Sequence, residues 1–424
     1  MKRTTLMIVG FAAIWSAAYA GAPAQNKTTA PRREASPTGQ LVSATTATHE
    51  SLRITDGPYL QAPSETGITI AWRTNNKCVS RVEYGTGGAL QSAAFNSHHG
   101  LRDAYTTLHA VCVSGLKPGT NYQYRVISRE ILEFKPYKVT FGEEVRSADS
   151  QFTTLDRRKP ECTFVVLNDR HEKVEPLNAS LGAVRWDSVD LVFLNGDMLS
   201  DSGDEKQVYT AVVDPCVSAF AKTIPFLYVR GNHETRGNMA RELLNYFPTP
   251  NGKFFYSFTQ GPVHFVVMDS GEDKPDSNPA YSGLVDFDRY RDLETDWLKN
   301  EIQSKEFRKA PFRVAFIHMP LLASDSTNDE KHGIEDMRKK WGPLLNRGKV
   351  DLLVSAHTHR YARIAPEKGA HVYPIVIGGT DTTIRAAATA NGLRLTVTDA
   401  DGRVRDELTV PRAPGFWGKL FGRK

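Results

Sequence analysis

Five short segments, spread from Asp169 to His359, each close an apolar run with side chains that bind metal ions. They are Asp169-Arg170-His171, Gly196-Asp197, Gly231-Asn232-His233-Glu234, His318 and His357-Thr358-His359. The runs that deliver them cover 162–167, 191–194, 225–229, 314–317 and 352–354. A lone Gly-Asp after a strand is an ordinary turn, and a lone His after Ile317 is an ordinary core residue. Five such segments in succession are not. A metal ion needs several anionic or imidazole donors, and a pair of ions needs one donor that is shared. Asp169, His171, Asp197, Asn232, His318, His357 and His359 offer a mixed oxygen and nitrogen set suited to Zn, Fe or Mn. An extended backbone would turn both imidazoles of His357-Thr358-His359 to one side, and would do the same for Asp169 and His171. The expected cofactor is therefore two divalent or trivalent metal ions.

To bring these segments together, their apolar runs must be neighbouring strands. From Cys162 onward, strands alternate with helical periods around 177–184, 204–221, 240–247, 289–307 and 334–345. A hairpin is expected around Gly261-Pro262, and the chain closes with strand-like runs at 372–377, 393–398 and 404–410. This pattern is an α/β domain with an internal sheet covered by helices. In such sheets ligands bind outside the carboxyl ends of the strands, where all five segments lie. Ahead of it, 51 to about 155 shows short alternating strands, such as 68–72, 80–84 and 121–126, with no helical period. Regular short strands of this kind predict a β-sandwich. The charged run 156–160 marks the junction.

The series Asp-x-His, Gly-Asp, Gly-Asn-His-Glu, lone His and His-x-His resembles the calcineurin-like metallophosphoesterase superfamily, over residues 162 to about 385. The stretch 115–126, Gly-Leu-Lys-Pro-Gly-Thr-x-Tyr-x-Tyr-x-Val, resembles the tyrosine corner of fibronectin type III modules. Together the architecture is most similar to the purple acid phosphatase branch. That resemblance implies a metallophosphoesterase β-sandwich flanked by helices at 158–412, preceded by a small all-β fibronectin III-like sandwich at 51–157. It implies one metal held by Asp169, His171, Asp197 and His359, and another by Asp197, Asn232, His318 and His357, with Asp197 bridging. It assigns His233 to the phosphate and the departing oxygen. The implied activity is hydrolysis of phosphate monoesters by in-line attack of a metal-bridging hydroxide, without a phosphorylated enzyme. Asp201 or Glu234 would orient His233, or both are merely exposed acids. Arg236 would touch a phosphate oxygen or form a surface salt bridge.

The resemblance has departures. Ser200 stands where purple enzymes carry a metal-binding Tyr, and His171 where they usually have Gly. Ala356 precedes the His-x-His pair where Gly is frequent. A phosphodiesterase on the same metal core is the alternative activity. A binding protein with a degenerate enzyme half is opposed by the presence of every expected ligand.

Bulk properties narrow the partners. The net charge is +5, with basic residues gathered at the two ends, so no nucleic-acid or stable membrane partner is expected beside a small phosphate-ester substrate. Lys2, Arg3, an apolar run from Leu6 to Ala18 and Ala18-Tyr19-Ala20 read as a secretory leader over 1–20, so the protein is expected to be exported, periplasmic or extracellular. The run is too short for a bilayer span. Residues 21–50 are rich in Ala, Thr, Pro and Ser and read as a flexible linker. The tail 413–424 is basic and aromatic. Export permits disulfides, and Cys78 with Cys112 is the pair within one domain. Buried free thiols are the alternative. Because Ser200 replaces the tyrosine ligand, an iron-loaded sample should show no intense visible charge-transfer band. A strong purple colour in an absorption spectrum would mean that another tyrosine binds the metal.

Overall fold

The computed structural model describes residues 49–323 and 331–412. The leader, nearly all of the linker and the tail lie outside the described residues. Among those described, no helix is long and apolar enough to cross a membrane.

The N-terminal all-β domain runs β1 (Ile54–Gln61), β2 (Gly67–Gly85), β3 (Ser92–Ala94), β4 (Ser97–His98), β5 (Leu101–Arg102), β6 (Ala104–Ser114), β7 (Asn121–Lys135), β8 (Lys138–Arg146) and β9 (Ser150–Thr153), with β4 and β5 a separate pair and the other seven strands hydrogen-bonded into one sheet through long β2 and β7. The sequence suggests two strands within β2, 68–72 and 80–84, with the polar pair Asn75-Asn76 between them. Instead it is one strand with a register shift between Arg73 and Cys78. Before the shift it pairs with β1 and β6; beyond it, with β3 and β7 and, at Cys78 and Val79, still with β6. The polar pair is absorbed because the Asn75 amide group bonds to the backbone of Ser51 and Arg53 rather than starting a reversal. β8 escaped prediction because nearly all of its residues are exposed, which erases the period-two signal. Trp72, Ile70, Val113, Tyr124 and Val126 fill the core, and the Trp72 indole donates to Ser128 Oγ at 2.9 Å. The tyrosine corner is present: the Lys117 amide donates to the Tyr122 hydroxyl at 3.0 Å.

All four cysteines are free thiols. Cys78 faces Thr106 across the β2–β6 ladder while Cys112 faces Thr69, so the two lie at opposite ends of it, beyond disulfide reach. Cys112 is exposed and the other three are buried.

The second domain contains β10 (Cys162–Leu167), β11 (Leu191–Asn195), β12 (Phe226–Val229), β13 (Tyr256–Gln260), β14 (Val263–Met268), β15 (Phe312–Ile317), β16 (Leu352–Ser355), β17 (Ala362–Ile364), β18 (Ile375–Ile377), β19 (Thr382–Thr389), β20 (Gly392–Asp399) and β21 (Val404–Val410). They form two six-stranded sheets, ordered β12-β11-β10-β19-β20-β21 and β13-β14-β15-β16-β18-β17. The strands that carry the motifs run parallel within each sheet. Phe164, Val166, Phe193, Phe265, Val267 and Phe316 meet between the sheets. Alternate residues of the same strands, Val165, Leu167, Val192 and Leu194, pack outward under the helices of 174–183 and 205–219. Both faces are covered, which is why these strands read as continuous apolar runs. β19 was not foreseen: its alanines have low strand propensity, yet Ala386 and Ala388 are buried between the sheets.

Two expected helices divide: 240–247 is a 3-10 turn, Asn238–Arg241, followed by the short helix Leu243–Tyr246. The period over 289–307 resolves into helices Phe287–Glu301 and Lys305–Lys309, because Ser304 starts a new one by accepting the Phe307 amide at 3.1 Å. The two domains share apolar packing. Tyr59 stacks on Phe226 at 5.9 Å and donates to the Tyr246 carbonyl at 2.8 Å, and the Tyr124 hydroxyl donates to the Lys222 carbonyl at 2.8 Å.

Phe193 is fully buried and stacks on Phe316 at 4.0 Å with an interplanar angle of 13°. Phe193→Ala should cost about 4 kcal/mol, the usual loss for a large aromatic in a close-packed core. Urea unfolding measures this directly, and a loss below about 1 kcal/mol would contradict the inter-sheet packing.

Candidate metal centre

Every motif lies just past the carboxyl end of its strand: Asp169 and His171 after β10, Asp197 after β11, Asn232 and His233 after β12, His318 after β15, and His357 and His359 after β16. Here the structure corrects one expectation. The backbone at these residues is not extended. Asp169, His171, Asp197, His357 and His359 have φ of 50°, 45°, 51°, 70° and 62°. Left-handed backbone costs a non-glycine residue about 1–2 kcal/mol. Such strain persists only where neighbouring contacts over-determine it, and here it aims successive side chains inward.

Those contacts are visible. The Asp169 amide donates to the Gly196 carbonyl and the His171 amide to the Asp197 carbonyl, each at 3.0 Å. The Ala356 amide donates to the His318 carbonyl at 2.8 Å, which carries the β15–β16 pairing past the strand ends. Gly196 and Gly231 allow the close approach. A Cβ on Gly196 would lie 2.3 Å from His318 Nδ1, and one on Gly231 would lie 2.2 Å from Asp197 Oδ1.

The side chains gather in two clusters that share Asp197. Asp169, His171, Asp197 and His359 place donor atoms within 4.8 Å of one another, and Asp197, His318 and His357 do the same. Asn232 belongs with the second, its Oδ1 lying 2.9 Å from His357 Nδ1. His318 Nδ1–H donates to the Asn195 carbonyl at 2.8 Å, which turns Nε2 toward Asp197 Oδ2 at 3.1 Å. Asp169 Oδ2 accepts from Asn168 Nδ2 at 2.7 Å and from the His357 amide at 3.0 Å. Among the donor atoms, buried Asp169 Oδ1 has no hydrogen-bond partner, and buried Asp197 Oδ2 and His318 Nε2 meet only each other, as an ion pair. Unpaired buried polar atoms are expensive. Cations among them would satisfy all three, so the donor set fits a metal pair.

Electrostatics point the same way. Burial pushes the Asp169 carboxyl up to about 7. At Asp197 burial acts upward too, but His318 and then His233 outweigh it and hold the carboxyl well below the usual range. Burial opposes protonation of His318, yet the Asp197 carboxylate pushes its imidazole up to about 10. Burial lowers His171 to about 4 and His357 to about 3. These two imidazoles are therefore neutral, the form that ligates metals. His171 Nε2 and His359 Nε2 face each other at 2.9 Å, a spacing that calls for a shared proton or a cation.

His233 sits against the shared carboxylate without joining either cluster. Its amide donates to Asp197 Oδ1 at 3.0 Å, and its Nε2 is 3.9 Å from Asp197 Oδ2. Neither Asp201 nor Glu234 orients the ring. Nδ1 lies 2.7 Å from the Ser200 carbonyl, a backbone partner that no side-chain pattern could reveal. Arg236 is held by buried Glu272, with Nε 2.7 Å from Oε1, and its Nη1 lies 3.2 Å from His233 Nε2. It therefore borders the site as a salt-bridged residue. His98 and His99 are exposed in the β4–β5 hairpin, where His98 bonds to Asp103.

Glu234 has a different role from either expected one. It is fully buried. Oε2 accepts the amides of Asp197 (2.9 Å) and Gly231 (3.0 Å), and Oε1 accepts the Leu199 amide (3.1 Å) and the Tyr228 hydroxyl (2.7 Å). Burial, then the charge of Asp197, raises its pKa, and the donors oppose that shift. All four partners donate, so the carboxylate form fits the site. Glu234→Ala would leave four buried donors unpaired, at about 4 kcal/mol. The variant should melt earlier and retain less metal in both positions. Unchanged melting and metal content would refute the clamp.

Comparison with known proteins agrees with this geometry. Residues 162–361 match the family Calcineurin-like phosphoesterase, and residues 56–154 match Purple acid Phosphatase, N-terminal domain. Purple acid phosphatase 23 of Arabidopsis thaliana is 23% identical over 283 residues, covering 61% of this chain and 57% of its own length. Acid phosphatase type 7 of Danio rerio is 22% identical over 350 residues, covering 71% of this chain and 69% of its own. The chain thus spans little more than half of the first of these relatives. Among solved structures, purple acid phosphatase PPD1 from yellow lupin (Lupinus luteus) seeds aligns with a TM-score of 0.63 at 17% identity, over 84% of this chain and 74% of that one. PhoD aligns at 0.57 with 12% identity, over 84% and 91%. Residues 162–361 thus form a calcineurin-like phosphoesterase domain, preceded at 56–154 by a purple acid phosphatase N-terminal domain.

Proposed function

We propose that this protein is an exported, metal-dependent hydrolase of phosphate monoesters. The observation that carries the reading is the convergence of seven donors in two clusters that share buried Asp197, with His233 poised beside that carboxylate. Asp169, His171, Asp197 and His359 would hold one ion; Asp197, Asn232, His318 and His357 would hold the other. When bound, such a pair supplies the charge that acidifies water and offsets phosphoryl oxygens. The mixed oxygen and nitrogen set, without a cysteine or tyrosine, suits Zn, Fe or Mn.

The remaining work falls to this chain's own side chains. The Ser200 carbonyl fixes His233 Nδ1–H, so Nε2 is the nitrogen presented to the site. A protonated Nε2 donates to the leaving oxygen as the phosphorus–oxygen bond breaks, and water supplies the new oxygen on phosphorus. The Arg236 guanidinium, anchored by Glu272, keeps a positive charge beside that ring. The Asp197 carboxylate, held against the His233 amide, sets the distance between the acid and the metal positions. Export rests on the residues of 1–20 alone.

His233→Ala should lower kcat on p-nitrophenyl phosphate by about 10²–10⁴-fold, the range for loss of a general acid, with metal content retained. Full activity in that variant would remove His233 from the mechanism. In parallel, Asn232→Ala should reduce metal stoichiometry at one of the two positions. Elemental analysis showing the wild-type ratio would refute its place as a ligand.

A further inference from the structure

Next to His359 the site opens into a cleft of about 490 Å³, lined by His359, Arg360, Tyr361, Thr380, Asp381 and Arg405. Its base is tied to the metal centre. The Thr380 amide donates to the His359 carbonyl at 3.3 Å. Buried Arg170, between two expected ligands in sequence, sends its guanidinium to the carbonyls of Thr380 and Thr382. A Cβ on Gly379 would lie 2.8 Å from the Tyr361 amide, so 360–361 and 379–381 touch backbone to backbone. Tyr361 is fixed by its hydroxyl, which donates to Asp406 at 2.6 Å.

Charge distinguishes this cleft from the rest of the site. Arg236 and Arg230 are neutralised by the buried carboxylates of Glu272 and Asp269. Arg405 pairs with Asp381 at 2.9 Å, but both are about half exposed, with side-chain exposures of 43% and 54%. Arg360 is exposed, and its hydrogen bonds among the described residues are to the Thr358 hydroxyl through its backbone alone. Its guanidinium pairs with no carboxylate among the described residues. Nearby, the charge of Lys173 also reaches His359. An uncommitted guanidinium beside a metal ligand, at the mouth of a cleft of ligand size, is a ready partner for a planar or tetrahedral anion.

We infer that this cleft is a second anion subsite, and that the preferred substrate carries a further phosphate or carboxylate on its leaving group, held by Arg360 with Arg405 beside it. The inference rests on the phosphohydrolase reading and names the substrate class for it. The bond broken is the same phosphorus–oxygen bond, and no additional reactant enters. A plain aryl phosphate would leave the cleft empty. Tyr361 and the Thr380 backbone would wall the cleft rather than bind charge.

The test compares kcat/KM for pyrophosphate and 3-phosphoglycerate with that for p-nitrophenyl phosphate, in the wild type, Arg360→Ala, Arg360→Lys and the Arg360→Ala, Arg405→Ala double variant. Loss of one charge-assisted contact should lower the dianionic-to-aryl ratio in Arg360→Ala on the order of tenfold, mainly through KM, with much of it restored in Arg360→Lys. A fall for pyrophosphate alone or phosphoglycerate alone supports the subsite and identifies its anion. Calorimetric binding of methylenediphosphonate, which is not hydrolysed, should weaken by a similar factor in Arg360→Ala. If the wild type cleaves p-nitrophenyl phosphate but both ratios are unchanged even in the double variant, the subsite is overturned and the hydrolase reading stands. If no substrate is cleaved, the hydrolase reading falls, and equal methylenediphosphonate binding in wild type and Arg360→Ala overturns the subsite as well.

Discussion

The Glu234 carboxylate, buried between two loops, sets the geometry on which the metal centre depends. The loops that carry Asp197 and Asn232 leave adjacent parallel strands and have no ladder of their own beyond the strand ends. Glu234 supplies what the ladder no longer does, accepting an amide from each loop on one oxygen and pairing Leu199 and Tyr228 on the other. A charge placed there is costly unless every lone pair is used, and here each oxygen has two donors. With these loops fixed, Asp197 can lie between the two clusters, and Gly231 can pass within reach of its carboxylate.

The same logic of constraint explains the strained backbone. Five of the seven donor residues adopt the left-handed conformation. No single hydrogen bond repays that cost, but the donors are held by amides from each other's loops. Asp169 accepts the His357 amide, Asp197 accepts the His233 amide, and Asp169 and His171 donate to carbonyls of the Gly196-Asp197 turn. The centre is thus assembled by backbone groups from both sheets before any ion is considered. In turn, the apolar layer around Phe164, Phe193 and Phe316 keeps those sheets in register.

Charge is distributed unevenly around this rigid centre. On the Arg236 side, Glu272 absorbs the guanidinium and Asp273 meets both Lys274 and Lys331. Toward Arg360 the positive charge is left open to solvent. The donor set is thus bordered by one neutralised wall and one that keeps a guanidinium unpaired among the described residues.

The sequence by itself determined which side chains would meet and on what architecture. Apolar runs ending in Asp, Asn and His marked strand ends, because strands buried on both faces cannot carry polar residues until they leave the sheet. It also marked the tyrosine corner, the hairpin at Gly261 and most helices. It misread β2, since a long strand that shifts register at Asn75-Asn76 has the local look of a turn, and it missed β19, whose alanines are buried by neighbours rather than by propensity. Only tertiary structure decided the conformation of the donors, the free state of Cys78 and Cys112, and the roles of Glu234, Arg236 and the Ser200 carbonyl. The reason is common to all of these. Each depends on a backbone group or charge brought from a distant segment, and periodicity along the chain records which face a residue takes, not what it will find there.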